Sequence, residues 1–226
     1  MRQKFLAGAA ALLMSTAAAH ANLVTNGSFE TGDLTGWTTT GGGTYPVAVI
    51  VTDGSTGSAF GEAVPSDPIV LGSDDAGGNY GVYFVDDIAH QTLSQTIHLT
   101  AGTYEIGFDA YAPQNGFNNT NDAQFEATIA GIQLANYSVH DQNQPTVWLH
   151  YSGLANVLAD GDYIVNFDFS PEGNPASDVV VDRVYVLASD QGGGTPVGDV
   201  PEPMTLSLFG AGLVGAAMAR RRKAKA

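Results

Sequence analysis

Carboxylates are the most abundant side chains in this sequence that could catalyse a reaction or bind a metal, and they are unevenly distributed. All 23 aspartates and glutamates lie between Glu30 and Glu202, where Arg183 is the only Lys or Arg, so residues 22–202 carry a formal charge of −22. This charge repels phosphate backbones and argues against sequence-independent binding to nucleic acid. Carboxylates can bind divalent cations, and a pair of them can catalyse the hydrolysis of a glycosidic bond. With 23 acids in the chain, the sequence does not single out any one pair for this role.

Other side chains with catalytic potential do not form a recognisable motif. The chain has no Cys, which excludes thiol catalysis and cysteine-ligated zinc. It also has no G-x-S-x-G, H-E-x-x-H or P-loop pattern. Ser138, His140 and Asp141 are close in sequence, but a catalytic triad depends on spatial geometry and not on adjacency. We therefore predict a protein that is not an enzyme, with a secreted glycoside hydrolase as the less favoured alternative.

Short apolar runs separated by Gly-, Asn-, Asp- and Thr-rich turns must position these side chains, a pattern typical of an all-β sandwich or barrel. Apolar and polar residues alternate clearly over 103–111 and 163–169, so each of these strands places one face on a core. Six further strands are predicted at 47–52, 81–86, 92–99, 124–129, 146–151 and 179–187. Long loops are predicted at 53–79, 112–122 and 138–145.

Both ends of the chain have the features of segments outside the fold. Residues 1–21 have a positive region, an apolar stretch and an A-x-A cleavage site that ends at Ala21, as in a Sec signal peptide. We therefore expect a β-sandwich domain over 22–188. A Gly- and Pro-rich segment follows over 189–200 and is typical of a flexible linker.

The tail over 201–224 combines a Pro-Glu-Pro triplet, an apolar run over 204–219 and a basic cluster. The triplet and the cluster consist of Pro201, Glu202, Pro203, Arg220, Arg221 and Arg222. The apolar run would span about 24 Å as a helix. Because basic residues stay on the cytoplasmic side of a membrane, the tail predicts a single short transmembrane helix that leaves the domain outside.

These three parts, in this order, resemble the PEP-CTERM sorting signal of Gram-negative, exopolysaccharide-producing bacteria. Proteins with this signal are substrates of exosortase, a membrane transpeptidase-like enzyme, so the resemblance implies cleavage near the Pro-Glu-Pro triplet. It implies a chain that is exported by Sec, anchored transiently in the inner membrane through its C-terminal helix, and then released or attached at the cell surface. A simple tail anchor is the alternative interpretation.

The order of short motifs over 22–187 is similar to the galactose-binding-like jelly roll, a β-sandwich that includes many carbohydrate-binding modules. These motifs are N-L-V-T-N-G-S-F-E, G-W-T, A-G-T-Y-E-I-G-F-D and, in the last strand, V-V-V-D-R-V-Y-V. In this superfamily a structural calcium often joins the N-terminal loop to the last strand, and the matching residues here are Glu30 and Asp182. We expect Asp182 to share an apolar face with Val180 and Val184, where a buried carboxylate needs a partner. That partner is calcium, Arg183 or backbone N–H groups.

The same resemblance implies binding of extracellular polysaccharide through aromatic platforms surrounded by polar side chains. Tyr111 and Phe117, beside and within an Asn-rich stretch, are the best candidates for exposed ligand contacts. Trp37 and Trp148 lie in or beside predicted strands and are expected in the core. The preferred hypothesis is a non-catalytic surface or matrix protein that binds exopolysaccharide. The alternative is a structural surface component or adhesin without a glycan ligand.

Overall fold

The computed structural model of the protein describes residues 21–55, 62–68, 78–142 and 144–189. Nearly all of the predicted signal peptide and linker, and the whole predicted sorting tail, lie outside these ranges. All described residues belong to one compact unit. Within the described ranges, no helix has the length and hydropathy needed to cross a membrane.

Ten β-strands form two antiparallel sheets of five strands each. They are β1 (Thr38–Thr40), β2 (Ala48–Val51), β3 (Tyr80–Phe84), β4 (Gln91–Leu99), β5 (Gly102–Tyr111), β6 (Ala123–Ile129), β7 (Ile132–Ser138), β8 (Leu149–Val157), β9 (Gly161–Pro171) and β10 (Val179–Ala188). Sheet A has the order β1-β4-β9-β6-β7, and sheet B has the order β2-β3-β10-β5-β8. A short helix, α1 (Gln114–Phe117), follows β5, and a 3-10 helix (Val139–Gln142) follows β7. The prediction of an all-β jelly-roll sandwich is confirmed.

Alternate residues of the strands bring aromatic rings together between the two sheets. Phe108 of sheet B meets Phe167 of sheet A edge-on at 5.1 Å between ring centroids. Phe84 of sheet B lies 6.0 Å from Phe169 of sheet A. All four side chains are completely buried. The alternation predicted for β5 and β9 therefore marks the faces that form the main core.

Part of the outer face of sheet B is covered as well, by the segment 62–68, which we call the strap. It contributes Val64 to a second apolar cluster, whose members are Ile50, Val64, Tyr83, Val85, Tyr111, Trp148 and Val180. The indole Nε1 of Trp148 donates a hydrogen bond to the carbonyl of Pro65 at 2.9 Å. This part of the predicted loop 53–79 is thus packed against the sheet and helps to bury it.

A β-bulge in β10 changes which residues face the core. Asp182 pairs with Asp109 of β5, but Tyr185 pairs with Gly107, so β10 has one residue more than β5 between these pairs. Arg183, within the bulge, has a φ of 50°, in the left-handed region that non-glycine residues rarely adopt. Val184 therefore lies in the main core while Val180 lies in the second cluster. The expectation that Asp182 shares a face with both is wrong for Val184.

The eight predicted strands are present, with differences at the sheet edges. β7, with the sequence I-Q-L-A-N-Y-S, is not predicted because only Ala135 is buried on this edge strand, which leaves little apolar alternation to detect. β1, which is three exposed threonines, escapes prediction for the same reason. β8 ends at Val157, six residues after the predicted end at 151.

Candidate functional site

Glu30 and Asp182 lie close together, as the sequence predicts, on either side of Gly78. A Cβ placed on Gly78 would lie 2.6 Å from Oε1 of Glu30 and 3.2 Å from Oδ2 of Asp182. Glu30 is held in place by the backbone N–H groups of Asn79 and Tyr80, which donate to Oε1 at 2.7 and 3.0 Å. The two carboxylates therefore face one small space that any side chain at position 78 would fill.

Asp182 is completely buried, and only one of its two carboxylate oxygens accepts a hydrogen bond. Its Oδ1 accepts the backbone N–H of Arg183 at 2.6 Å, whereas its Oδ2 has no hydrogen-bond partner among the described residues. Burial raises the pKa of Asp182 well above its ordinary value, although the bond from Arg183 N opposes this rise. An orphaned oxygen beside a second carboxylate fits a hard cation such as calcium, which takes oxygen ligands.

The side chain of Arg183 makes no hydrogen bond to Asp182 and binds the strap instead. Its Nε lies 3.2 Å from Oδ2 of Asp67, and its Nη2 donates to the Asp67 carbonyl at 3.2 Å. Both residues are at most 2% exposed. Of the three partners that the sequence left open for Asp182, the backbone N–H takes one oxygen and the guanidinium takes neither. In the described part of the chain, no group of three or more His, Asp and Glu side chains could hold a metal, so a cation here would need backbone or water oxygens as well.

A row of polar side chains continues from Asp182 across sheet B. Asp109 of β5 lies between Asp182 and His150 of β8, and Nδ1 of His150 lies 2.6 Å from Oδ1 of Asp109. On the other side of the imidazole, Nε2 lies 3.3 Å from the hydroxyl of Tyr185. The Tyr185 ring passes over Gly107, where a Cβ would lie 2.5 Å from the hydroxyl oxygen. Burial, followed by the neighbouring Asp67, raises the pKa of the Asp109 carboxyl.

A separate cleft of about 200 Å³ opens where β3 and β5 end and β10 begins. Its lining residues are Tyr45, Val85, Asp87, Asn119 and Asp178. Each comes from a connecting segment: the loop before β2, the turn after β3, the segment after α1, or the residue just before β10. The sequence does not predict this cleft, because Asp87, Asn119 and Asp178 lie in no motif that distinguishes them from the other acids and amides of the chain.

The polar groups of the cleft use the protein for only part of their hydrogen-bonding capacity. Asp178 is 6% exposed, and its Oδ2 accepts the hydroxyl of Tyr83 at 2.8 Å. Oδ1 of Asp87 accepts the backbone N–H of Ala176 at 2.7 Å, and the amide nitrogen of Asn119 donates to the Ala176 carbonyl. These hydrogen bonds leave one side-chain oxygen unused on each of Asp87, Asn119 and Asp178. Burial raises the pKa of Asp178 to about 7; the bond from Tyr83 opposes this rise, and repulsion from nearby carboxylates adds to it.

Neither of the two aromatic residues predicted to be exposed ligand contacts, Tyr111 and Phe117, is exposed. Tyr111 is 3% exposed and packs against Trp148 at 5.2 Å under the strap. Phe117 is half-buried and meets the ring of His140 edge-on at 5.5 Å. Tyr45 is 45% exposed at the rim of the cleft. Its flanks, three glycines at 41–43 and Pro46, are the sequence signal of an exposed loop that could have identified it.

The Ser138–His140–Asp141 stretch does not form a nucleophilic triad. The hydroxyl of Ser138 contacts the carboxylate of Asp122, and Nδ1 of His140 lies 3.5 Å from the same carboxylate. Nε2 of His140 is buried and has no hydrogen-bond partner in the described residues. The serine is therefore bonded to the acid, whereas nucleophile activation requires it to be bonded to the imidazole.

Comparison with known proteins identifies the tail. Residues 199–223 match the PEP-CTERM protein-sorting motif, which confirms the sorting signal predicted from the Pro-Glu-Pro triplet and the arginine cluster. Among curated proteins, no match to this chain is found. The chain thus carries a sorting motif that indicates an exported protein.

Solved structures of similar fold include both binding modules and an enzyme. TmCBM61, in complex with β-1,4-galactotriose, is 18% identical over 74% of this chain and 99% of its own, with a TM-score of 0.44. The CBM22-1 xylan-binding domain of Xyn10C from Paenibacillus barcinonensis is 14% identical over 78% and 100%, with a TM-score of 0.41. The Stig cyclase Fisc from Fischerella sp. TAU is 15% identical over 76% and 98%, with a TM-score of 0.49. At these identities the likeness is one of fold and does not extend to a ligand or a reaction.

Proposed function

We propose that this chain is a Sec-exported surface or extracellular-matrix protein whose β-sandwich binds exopolysaccharide without catalysing a reaction. The sorting motif supports the export. The observation that carries the binding proposal is the cleft, which combines the exposed residue Tyr45 with side-chain oxygens that make no hydrogen bond within the described part of the chain.

The cleft has the two kinds of group that recognise a sugar. Tyr45 is 45% exposed, and the apolar face of a pyranose can pack on an aromatic ring of this kind. Asp87, Asn119 and Asp178 offer oxygens that accept hydrogen bonds from hydroxyl groups. Tyr111 and Phe117 contribute behind this surface, Tyr111 through its packing in the second cluster with Val85, and Phe117 at the end of the helix that precedes Asn119.

Calcium at Glu30 and Asp182 is proposed as a structural cofactor and not as part of the sugar site. A cation there would take the orphaned Oδ2 of Asp182 and add positive charge beside a buried carboxylate that Arg183 offsets only in part. Its role would be to hold the N-terminal loop, the backbone around Asn79 and β10 together.

Retention of the purified protein on the exopolysaccharide of its own organism tests the binding proposal. We expect retention by the unmodified protein and a loss of about tenfold or more in affinity for Tyr45→Ala, since an aromatic sugar platform is a typical hot spot. Ile164→Ala is the matched control, because Ile164 is 56% exposed on the outer face of sheet A. No retention of the unmodified protein would favour a structural component or adhesin without a glycan ligand.

Processing by exosortase is proposed from the sorting motif, with cleavage near Pro201–Pro203. The combined variant Glu202→Ala, Pro203→Ala is expected to accumulate as an unprocessed, membrane-associated precursor. The measurement is the mass and the cellular fraction of the mature protein. Unchanged processing of the variant would show that the tail is a simple anchor.

A further inference from the structure

The cleft is rich in acceptors and short of donors. One N–H of the Asn119 amide donates to the Ala176 carbonyl, so this side chain keeps its oxygen as an acceptor and a single N–H as a donor. The carboxyls of Asp87 and Asp178, when ionised, accept but do not donate. The polar lining of the cleft therefore selects a ligand that brings several donors of its own.

Within the described part of the chain, no Lys or Arg side chain is left to balance the carboxylates of the cleft. Arg183 is the only Lys or Arg between residues 22 and 202, and its guanidinium is committed to Asp67 under the strap. Repulsion from Asp87 and Glu62 acts on Asp178, which is itself 6% exposed. A buried carboxylate without a charge partner is costly. A positively charged ligand would therefore bind favourably, because it would provide the charge partner that this carboxylate lacks.

These conditions separate the classes of glycan. Uronic acids and sulfated or phosphorylated sugars bring negative charge to a segment of formal charge −22 and are repelled. Neutral sugars can satisfy the acceptors but leave the charge unpaired. A protonated amine has three donors and a positive charge, which gives short, charge-assisted hydrogen bonds with carboxylates. The face of Tyr45 adds a cation–π contact for the same group.

We infer that the cleft formed by Tyr45, Asp87, Asn119 and Asp178 recognises an amino sugar with a free primary amine. The inference rests on the proposed polysaccharide binding and specifies its ligand. Asp178 and Asp87 accept from the ammonium group, Asn119 accepts from a neighbouring hydroxyl, and Tyr45 packs on the sugar ring. The long-range negative potential of the domain concentrates such a polymer near the cleft.

Calorimetric titration of the full chain in mild detergent at neutral pH tests this inference with matched probes. The probes are a β-1,4-linked glucosamine tetramer, its fully N-acetylated counterpart and a galacturonate tetramer. We expect the amine form to bind about tenfold or more tightly than the acetylated form, and the galacturonate not to bind. Asp178→Asn and Asp87→Asn are each expected to weaken binding of the amine form and to leave the weaker binding of the acetylated form nearly unchanged.

A charge-matched control separates the cleft from the general negative charge. Asp162→Asn removes one carboxylate from sheet A, where the Asp162 side chain is 73% exposed, and it is expected to leave the affinity unchanged. Equal losses in Asp162→Asn and Asp178→Asn would overturn the inference, because the attraction would then be diffuse. Equal binding of the amine and acetylated forms would also overturn it while leaving glycan binding intact. Binding to none of the three probes, with retention on the organism's own exopolysaccharide, would reject the amine and keep the proposed function.

Discussion

Replacing Arg183 with methionine removes the only positive charge from a buried group of three carboxyls. Arg183 is 2% exposed, and Asp67, Asp109 and Asp182 are each at most 2% exposed. Methionine, like arginine, has an unbranched apolar stem, and it is also a non-glycine residue in the left-handed backbone of the bulge. The substitution therefore removes the charge and changes little else. Breaking a buried ion pair by removing one partner costs about 3–5 kcal/mol, and we expect a loss of this size. That is a large share of the roughly 5–15 kcal/mol typical of a folded domain.

Denaturant unfolding followed by tryptophan fluorescence measures this loss, because Trp148 is hydrogen-bonded to the strap that Arg183 holds. Adding Asp67→Asn to the Arg183→Met variant is expected to recover part of the loss, with a coupling energy of about 1–3 kcal/mol. The exposed substitution Asp162→Asn should change the stability by less than about 0.5 kcal/mol. A loss below about 1 kcal/mol for Arg183→Met, measured in excess chelator, would refute the view that this guanidinium compensates buried charge.

Saturating calcium should raise the unfolding midpoint, by an amount equivalent to about 2.7 kcal/mol at one hundred times the Kd, and Asp182→Asn should abolish the effect; identical midpoints with calcium and chelator would remove this site. In chelator, the free energy of unfolding should fall as pH rises from about 4 to about 7, because the folded-state pKa of Asp178 is raised to about 7 and the folded chain retains a proton that the unfolded chain releases. The loss approaches about 4 kcal/mol, and a stability profile that Asp178→Asn does not flatten would contradict this. Gly107→Ala should destabilise by about 1–3 kcal/mol, because its Cβ would lie 2.5 Å from the Tyr185 hydroxyl; Gly43→Ala, with nothing within 4 Å, is the control, and equal effects of the two would argue against the close packing.

The sequence predicted what depends on local pattern and on chain order. Apolar alternation identified β5 and β9 and the faces that they bury, because a strand exposes its two faces at a period of two residues. The resemblance of the first and last segments to one fold brought Glu30 and Asp182 together although they are 152 positions apart. Both inferences used information that lies within a strand or in the order of motifs.

The features that the sequence did not predict depend on packing between distant segments. Tyr111 lies on the outer face of β5 and is buried because the strap, more than forty positions earlier, packs over it. The sequence of β10 did indicate that both faces of sheet B are covered near this strand. A strand buried on both faces is apolar without alternation, and nine of the ten residues of the Val-rich β10 are buried. The bulge at Arg183 left no signal, because an arginine with positive φ is stabilised by its tertiary ion pair and not by its neighbours in sequence.

β10 connects the cleft mechanically to the point where the chain leaves the sandwich. Asp178 precedes its first residue and Ala188 is its last, so ten residues, about 33 Å of extended chain, separate the two ends. β10 lies between β3 and β5 in sheet B and is hydrogen-bonded on both sides. If the tail is held at a surface and a polymer is held in the cleft, tension runs along β10 and loads these hydrogen bonds together in shear. The bonds then share the force, instead of opening one after another as they would if the strand were peeled from an edge.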